Sequence, residues 1–409
     1  MAGFTTFLTM LYIVPVNASI MSNTGMPMDA LISATAIMTI IACIINGLWS
    51  NTPIAMSVGM GLNAFFTFTM VGQMGLNWQT ALGIVFLSGF LFLILSLTPF
   101  RVWIIQSVPV DLRRAISAGI GAFIAFIGLK QMGIITSNPE TFVSLGNVTD
   151  KSVLLGIFGL LLVVVFSAWR IKGAFIIAIL LTSISGWIFG IGEAPKEIFS
   201  TPASIAPIAF KIDIMSALSF SLLPVIITFL ITHMFDSLGT LSGVGFRAGL
   251  FKDGSKELQK TLEADAANST ISAFFGVSTT TSFAESASGV EEGGRTGLTA
   301  ITTGLCFVVT LFLLPLFLAI PQNAIYPVLI MVGILMFSEL GHINYKDFAT
   351  AVATFLTVLL MPLTYSIATG LAFGFISYAI IKLIKREFKD LTWGLIFLAC
   401  VSSIIFIFH

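Results

Sequence analysis

The residues of this chain that could do chemistry gather in one stretch, Phe275 to Gly304, FGVSTTTSFAESASGVEEGGRTGLTAITTG. It opens on a run of small hydroxyl residues, Ser278, Thr279, Thr280, Thr281 and Ser282, and then sets one carboxylate, Glu285, among apolar and small neighbours. Long hydrophobic segments flank it on both sides. Lipid offers no hydrogen bonds, so a Ser/Thr/Gly interruption at membrane depth is buried in protein or lines a cavity. An ionisable side chain at such a place is a functional-site candidate by default. Glu285 is therefore the first candidate, as a carboxylate that accepts hydrogen bonds from a ligand's N–H groups or carries a proton.

A second candidate pair lies in FSLLPVIITFLITHMFDSLGTLSGVG (220–245), where His233 and Asp236 stand three residues apart on one helix face. A buried His–carboxylate face could exchange a proton near neutral pH. It could equally be structural, with Asp236 bonding a broken helix and His233 merely satisfied. The third is Asn63, just after the Gly59-Met60-Gly61 break in PIAMSVGMGLNAFFTF (53–68). Its amide suits ligand recognition, since it both donates and accepts, or it glues two helices together. Asn17 and Asn46 lack such a break beside them and read as packing residues. Glu263 and Asp265, in TLEADAANST (261–270), fall at the start of a span, where the helix dipole favours acids. Glu291, Glu292 and Arg295 read as a solvated turn.

These residues need a membrane protein to position them. Of 409 residues, 57% are hydrophobic and 9% charged, where a soluble domain carries about 25% charged; the mean hydropathy is +1.03. The formal net charge of zero gives no footing for a nucleic-acid partner. Cys43, Cys306 and Cys400 sit in apolar segments at unrelated spacings, which points to reduced thiols and to no metal or disulfide framework. No basic leader precedes the first apolar segment, so no cleavable signal peptide is read.

At about 20 apolar residues per span, hydropathy places spans at 2–22, 29–49, 53–72, 79–99, 115–133, 152–169 and 171–191. A second set follows at 216–245, 262–276, 277–294, 296–319, 323–338, 347–365 and 366–385. The stretch 391–408 is either a further span or an interfacial helix. Starting the first span in the cytoplasm puts fifteen Lys and Arg residues inside, Arg101, Arg247 and Lys252 among them, against Lys130, Lys151, Lys196 and Lys211 outside. That is a positive-inside distribution, and seven spans per half make the halves inverted copies. Thr6-Phe7-Leu8 recurs 222 positions on as Thr228-Phe229-Leu230, and the same offset carries Asn63 onto Glu285. The two would face each other across a pseudo-two-fold axis. The Gly break and the Thr run then read as short extended stretches before half-helices in spans 3 and 10, whose N-termini bring backbone N–H groups towards a midplane ligand.

Several runs carry a resemblance: TTFLTMLYIVPVNASIMS (5–22), GMGLNAFFTFTMVG (59–72), AISAGIGAFIAFIGLKQMGII (115–135), MFDSLGTLSGVG (234–245), TSFAESASGVEEGGRTGLTAITTG (281–304) and MPLTYSIATGLAFGFISY (361–378). Over nearly its whole length the chain resembles the AzgA-like purine permeases, nucleobase:cation symporters related to uracil and xanthine permeases. The resemblance implies an all-α polytopic protein of fourteen spans in two inverted seven-span repeats. A core domain (1–99 and 216–319) would move against a gate domain (100–191 and 320–385), leaving 386–409 as a C-terminal hydrophobic segment. It implies that Glu285 is the tenth-span carboxylate that contacts the purine. Asp236 matches the acid of a Phe-Asp-x-x-Gly-Thr pattern, and Asn63 the amide of Gly-Met-Gly-Leu-Asn-Ala. The chain departs from the pattern at His233, where many members carry an acid, and at Val58 and Ala18, where proline is common. The cytosolic lead usual in such permeases is absent, which points to a truncated or late-assigned start.

The expected function is import of adenine, guanine or hypoxanthine with a proton, by alternating access, in the cell membrane with the N-terminus cytoplasmic. Thr280, Thr281, Phe283 and Phe65 complete the expected substrate site, the rings as stacking candidates although packing is the commoner use of phenylalanine. Glu285, Asp236 and His233 are the expected proton carriers. No cofactor beyond the coupling ion and no metal is expected, and the related permeases suggest a homodimer. Rival readings are a uracil, xanthine or anion carrier of the same architecture, a channel, and an intramembrane enzyme. A channel wants a continuous polar pore, an enzyme an activated nucleophile, and neither pattern is visible.

Overall fold

The computed structural model describes residues 1–98, 107–241, 244 and 256–405; Arg101, Arg247 and Lys252 lie outside the described residues. Helix occurs in each of the fourteen segments read from hydropathy. By length and composition, eight helices among the described residues could each cross a bilayer. Of the others, Lys256–Phe274 is long but polar and the rest are short or broken; the breaks carry the site. The first span is α1 (Ala2–Met10) and α2 (Ile13–Ser22), parted at Leu11-Tyr12. The second is α3 (Met28–Trp49).

The third and tenth spans each open with strand. β1 (Met56–Val58) leads into α4 (Met60–Ala64), which continues as a wide-turned helix over Phe65–Gln73. β4 (Thr280–Ser282) leads into the short α11 (Ser286–Glu291). Extended backbone inside a membrane has no water to bond, so every N–H and C=O needs a protein partner. The two strands supply most of these to each other. They pair antiparallel, Met56 with Ser282, Ser57 with Thr281 and Val58 with Thr280. Beyond the ladder, Phe283 N–H donates to Ala55 C=O and Gly59 N–H to Thr279 C=O, both at 3.0 Å. Side chains close the remainder: the Cys43 thiol bonds the Met56 carbonyl at 3.3 Å, Ser286 Oγ accepts from Ala55 N–H at 2.9 Å, and Asn46 Nδ2 donates to Ile54 C=O at 2.7 Å. Val58 and Thr280 are themselves 222 positions apart, so the pseudo-two-fold axis passes through that pair.

The remaining helices sort into two packing groups. One joins α3, α5 (Trp78–Ser96), α9 (Leu223–Leu241), α10 (Lys256–Phe274) and α12 (Gly297–Phe307), with α1 lying on α11 and α12. The other joins α6 (Val110–Gln131), α7 (Lys151–Ala168), α8 (Ala174–Ile188), α13 (Gln322–Phe337), α14 (Phe348–Leu363) and α15 (Ile367–Ile384). Without a hydrophobic drive between helices in lipid, small residues let backbones meet. A Cβ on Gly297 would sit 1.9 Å from the Gly47 carbonyl oxygen, at the crossing of α3 and α12. Gly297→Ala is expected to force that crossing apart at a cost of about 1–3 kcal/mol, read as a lowered melting temperature of the detergent-solubilised protein.

Two features lie outside the hydropathy reading. Residues in the polar 134–151 loop form a hairpin, β2 (Ile135–Asn138) with β3 (Phe142–Leu145). The segment left open at 391–408 contains α16 (Trp393–Ile405), which packs on α15 and α9; residues 406–408 are outside the described set.

Candidate functional site

Where the two packing groups face each other, the strand ends open into a cavity of about 600 Å³, within the ~300–1,000 Å³ usual for small-molecule sites. One wall is built from the broken spans: Met60 and Gly61 at the start of α4, Thr281 and Ser282 of β4, then Phe283, Ala284 and Glu285. Asp236 and Thr240 of α9 add to it. The opposite wall comes from Ser117 of α6, from Val332, Leu335 and Met336 of α13, and from Ser338 and Glu339 just beyond. Exposed Glu291 and Arg295 sit at the mouth.

Glu285 is the residue just before α11, in the turn that joins β4 to that helix, with its backbone already helical. The Tyr12 hydroxyl donates to its Oε1 at 2.5 Å. Tyr12 is fully buried and its ring meets Phe175 edge-on at 4.9 Å, which fixes the donor. One carboxylate oxygen is thereby oriented in a residue that lines the cavity. Sequence reading missed Tyr12; the break at Leu11-Tyr12 shortly before Pro15 was the available signal. Ser282 also lines the cavity, and its buried Oγ has no partner among the described residues. A buried hydroxyl without a partner costs about 1–3 kcal/mol, so it is ready to bond whatever enters.

Asp236 lines the same wall and takes a hydrogen bond from the Thr281 side chain. Behind it lies a second, deeper cluster. Thr281 Oγ1 is 3.3 Å from Ser237 Oγ, and Ser237 donates to Asp265. Asp265 Oδ2 is 3.5 Å from His233 Nε2, and His233 Nδ1 is 3.4 Å from both Ser269 Oγ and Thr279 Oγ1. The Phe92 ring covers the imidazole at 4.7 Å. The expectation for Asp265 is corrected here: α10 starts at Lys256, so Asp265 lies well inside the helix and is fully buried rather than serving its N-terminus. His233 therefore reaches across to the acid of the next span instead of lying idle beside Asp236.

Of the expected substrate contacts, Glu285, Asp236, Thr281 and Phe283 come together at the cavity. Asn63 does not line it. Its Nδ2 donates to Asn17 Oδ1 and its Oδ1 accepts from Ser278, while Asn17 Nδ2 donates to Thr35 Oγ1 at 2.7 Å. The reason lies in where each helix begins. Asn63 and Glu285 are equally far past the Val58–Thr280 pair, but α4 starts at Met60 and α11 only at Ser286. Asn63 is thus inside its first helical turn and turned onto α2, whereas Glu285 is the last residue of the turn that leads into its helix. Phe65 is buried against Phe229, the rings stacked at 5.8 Å. Thr280 is buried with its hydroxyl unpartnered among the described residues, away from the cavity lining.

Comparison with known proteins supplies context for this arrangement. The model of the Permease family matches residues 1–374. The adenine permease AdeP of Escherichia coli is 40% identical over 410 residues, covering 99% of this chain and 92% of that protein. The guanine/hypoxanthine permease PbuG of Bacillus subtilis is 43% identical over 400 residues, covering 95% and 91%. Among solved structures, the transmembrane domain of a cyanobacterium bicarbonate transporter, BicA, superposes with a TM-score of 0.69 at 15% identity, covering 89% of this chain and 94% of that one. That last likeness shows the fold alone.

Proposed function

The chain belongs to the Permease family, and on that premise we propose that it imports purine nucleobases, namely adenine, guanine or hypoxanthine, by proton-coupled alternating access. The observation that carries the reading is the Glu285 carboxylate, held by Tyr12 at the wall of a cavity between the two packing groups. A purine is planar and uncharged and presents both donors and acceptors on its edge. The free oxygen of Glu285 accepts from ring or exocyclic N–H groups. The first-turn N–H groups of α4, at Met60 and Gly61, and Ser282 Oγ meet ring nitrogens or a carbonyl. Phe283 offers a ring at the same wall. Relatives of about 40% identity named for adenine and for guanine and hypoxanthine support the substrate class.

In this reading 1–99 with 216–319 is the moving core and 100–191 with 320–385 the gate. The protein sits in the cell membrane, N-terminus in the cytoplasm, so the Glu291–Arg295 mouth faces inward. A homodimer is the assembly the related permeases suggest. An anion carrier of the same fold is disfavoured by three carboxylates, Asp236, Glu285 and Glu339, on the cavity walls with Arg295 only at the mouth.

Competition uptake tests the substrate. In cells lacking their own purine carriers, labelled adenine, guanine, hypoxanthine and uracil are offered with and without a protonophore. Protonophore-sensitive accumulation of a purine but not of uracil is expected. Accumulation of uracil or an anion alone overturns the reading. Tyr12→Phe keeps the carboxylate but frees it to rotate; the lost hydrogen bond, worth about 1.5–3 kcal/mol to a charged group, is expected to raise the purine KM roughly tenfold or more.

A further inference from the structure

The cavity wall is joined to the interior by an unbroken line of polar atoms, and the line ends on an acid that purine binding does not use. From Asp236 it runs through Thr281 Oγ1 to Ser237 Oγ at 3.3 Å, and from Ser237 to the carboxylate of Asp265. There His233 Nε2 stands 3.5 Å from Oδ2, near enough for an ion pair but without a hydrogen bond of its own among the described residues. Asp265 is fully buried and His233 is 1% exposed. Asp265 Oδ1 has no hydrogen-bond partner among the described residues. An acid whose second oxygen is unbonded, in a place without solvent, is poorly arranged as a permanent structural ion, because a buried charge is stable only when paired and fully hydrogen-bonded. As a neutral acid its free oxygen can carry a proton without needing an acceptor for every lone pair.

We propose that Asp265, paired with His233, is where the coupling proton resides during transport, reached from the substrate cavity along the Asp236–Thr281–Ser237 hydroxyl line. This deepens the proposed function and rests on it. At rest Thr281 and Ser237 give their single protons to Asp236 and Asp265. Once Asp236 takes up a proton from the cavity it donates to Thr281 Oγ1, the Thr281 proton turns to Ser237 Oγ, and Ser237 passes its own to Asp265. The Asp265 carboxylate becomes the neutral acid, and the same path in reverse returns the proton to solvent. His233 then shifts between holding an anion and facing a neutral acid, and its Nδ1 side lies on Thr279, whose carbonyl bonds Gly59 N–H at the head of α4. The proton state is therefore linked to the half-helix that borders the ligand.

Among the described residues no other charge competes at this point. α5 and β4 contain no charged residue. The one acid of α3, Asp29, is in its exposed first turn, and Cys43 is engaged with the Met56 backbone. The charges of α6 lie in its end turns, and Lys382 of α15 is held by Asp347, Glu387 and Asp390. On α10 itself, Lys256, Glu257 and Lys260 are exposed and Glu263 accepts from Trp49.

The test uses purified full-length protein in liposomes, with labelled adenine, or whichever purine the wild type carries. Asp265→Asn is expected to exchange purine across the membrane without a gradient at a rate within about threefold of wild type. Accumulation driven by an imposed pH gradient is expected to fall at least tenfold, and the pH dependence of half-saturation to flatten. Wild-type accumulation by the variant overturns the proposal. So does a monodisperse variant that neither binds nor exchanges purine, since that marks a structural role. Accumulation by the wild type under a sodium gradient but not a pH gradient also overturns it. If Asp265→Asn does not fold, Ser237→Ala breaks the line one step earlier and is expected to slow gradient-driven uptake about tenfold with exchange retained; unchanged uptake refutes the relay. A wild type that exchanges no purine at all refutes the substrate reading instead, and so the two failures are distinguishable.

Discussion

Glu285→Gln is expected to raise the purine Kd about 30–150-fold, the loss of roughly 2–3 kcal/mol that follows when a charged acceptor is replaced in a closed site. The substitution keeps the shape of the side chain. Glutamine can still take the Tyr12 hydroxyl on its oxygen, because that donor is fixed by burial and by Phe175. Its amide NH₂ must then point into the cavity, where a purine presents N–H donors of its own. Donor faces donor, and the ligand's polar edge is left unpaired. Sites built to bond a polar group discriminate strongly for this reason. Equilibrium binding to the purified variant, with Gly297→Ala as a fold-perturbed control, separates lost recognition from lost structure. Normal purine affinity in Glu285→Gln would remove Glu285 from the ligand.

Asp236→Asn is expected to act on turnover instead. Asp236 shares the cavity wall but stands at the head of the hydroxyl line to Asp265. An amide preserves hydrogen bonding to Thr281 yet cannot take up a proton at any accessible pH. Maximal gradient-driven uptake is expected to fall more than tenfold, with the purine KM moving by less than about threefold, because chemistry lost only after binding appears in the maximal rate. The reverse split, a raised KM with the maximal rate kept, would make Asp236 a ligand contact alone. The paired results on Glu285 and Asp236 thus assign recognition and coupling to different carboxylates of one cavity.

Much of the architecture was legible because membrane spans write themselves in composition. Runs of about 20 apolar residues, Lys and Arg bias, and two polar or glycine interruptions at matching places follow from the cost of unsatisfied groups in lipid. Glu285 was legible for the same reason: a lone acid beside a Thr run in an apolar chain has few bland explanations. The paired strands were readable as extended stretches, and the 222-residue offset between Asn63 and Glu285 coincides with the Val58–Thr280 pair at the axis.

The partners of these residues were not legible. Tyr12 and Glu285 are 273 positions apart and meet only because α1 lies along α11. Asp265 looked like a dipole-satisfying acid until α10 began at Lys256 and carried it inside. Asn63 and Glu285 are related by pseudo-symmetry, yet one side chain glues helices and the other faces the cavity. That difference arises where each helix starts, and the start is set by which backbone groups find partners in the folded protein. Hydropathy is a property of each segment against lipid, so the chain alone determined where the apolar segments fall, where they break and which acid stands beside a break. Hydrogen-bond partners are a property of segments against each other, so the tertiary structure alone decided which polar residues line the cavity, which cluster behind it, and which only hold the frame.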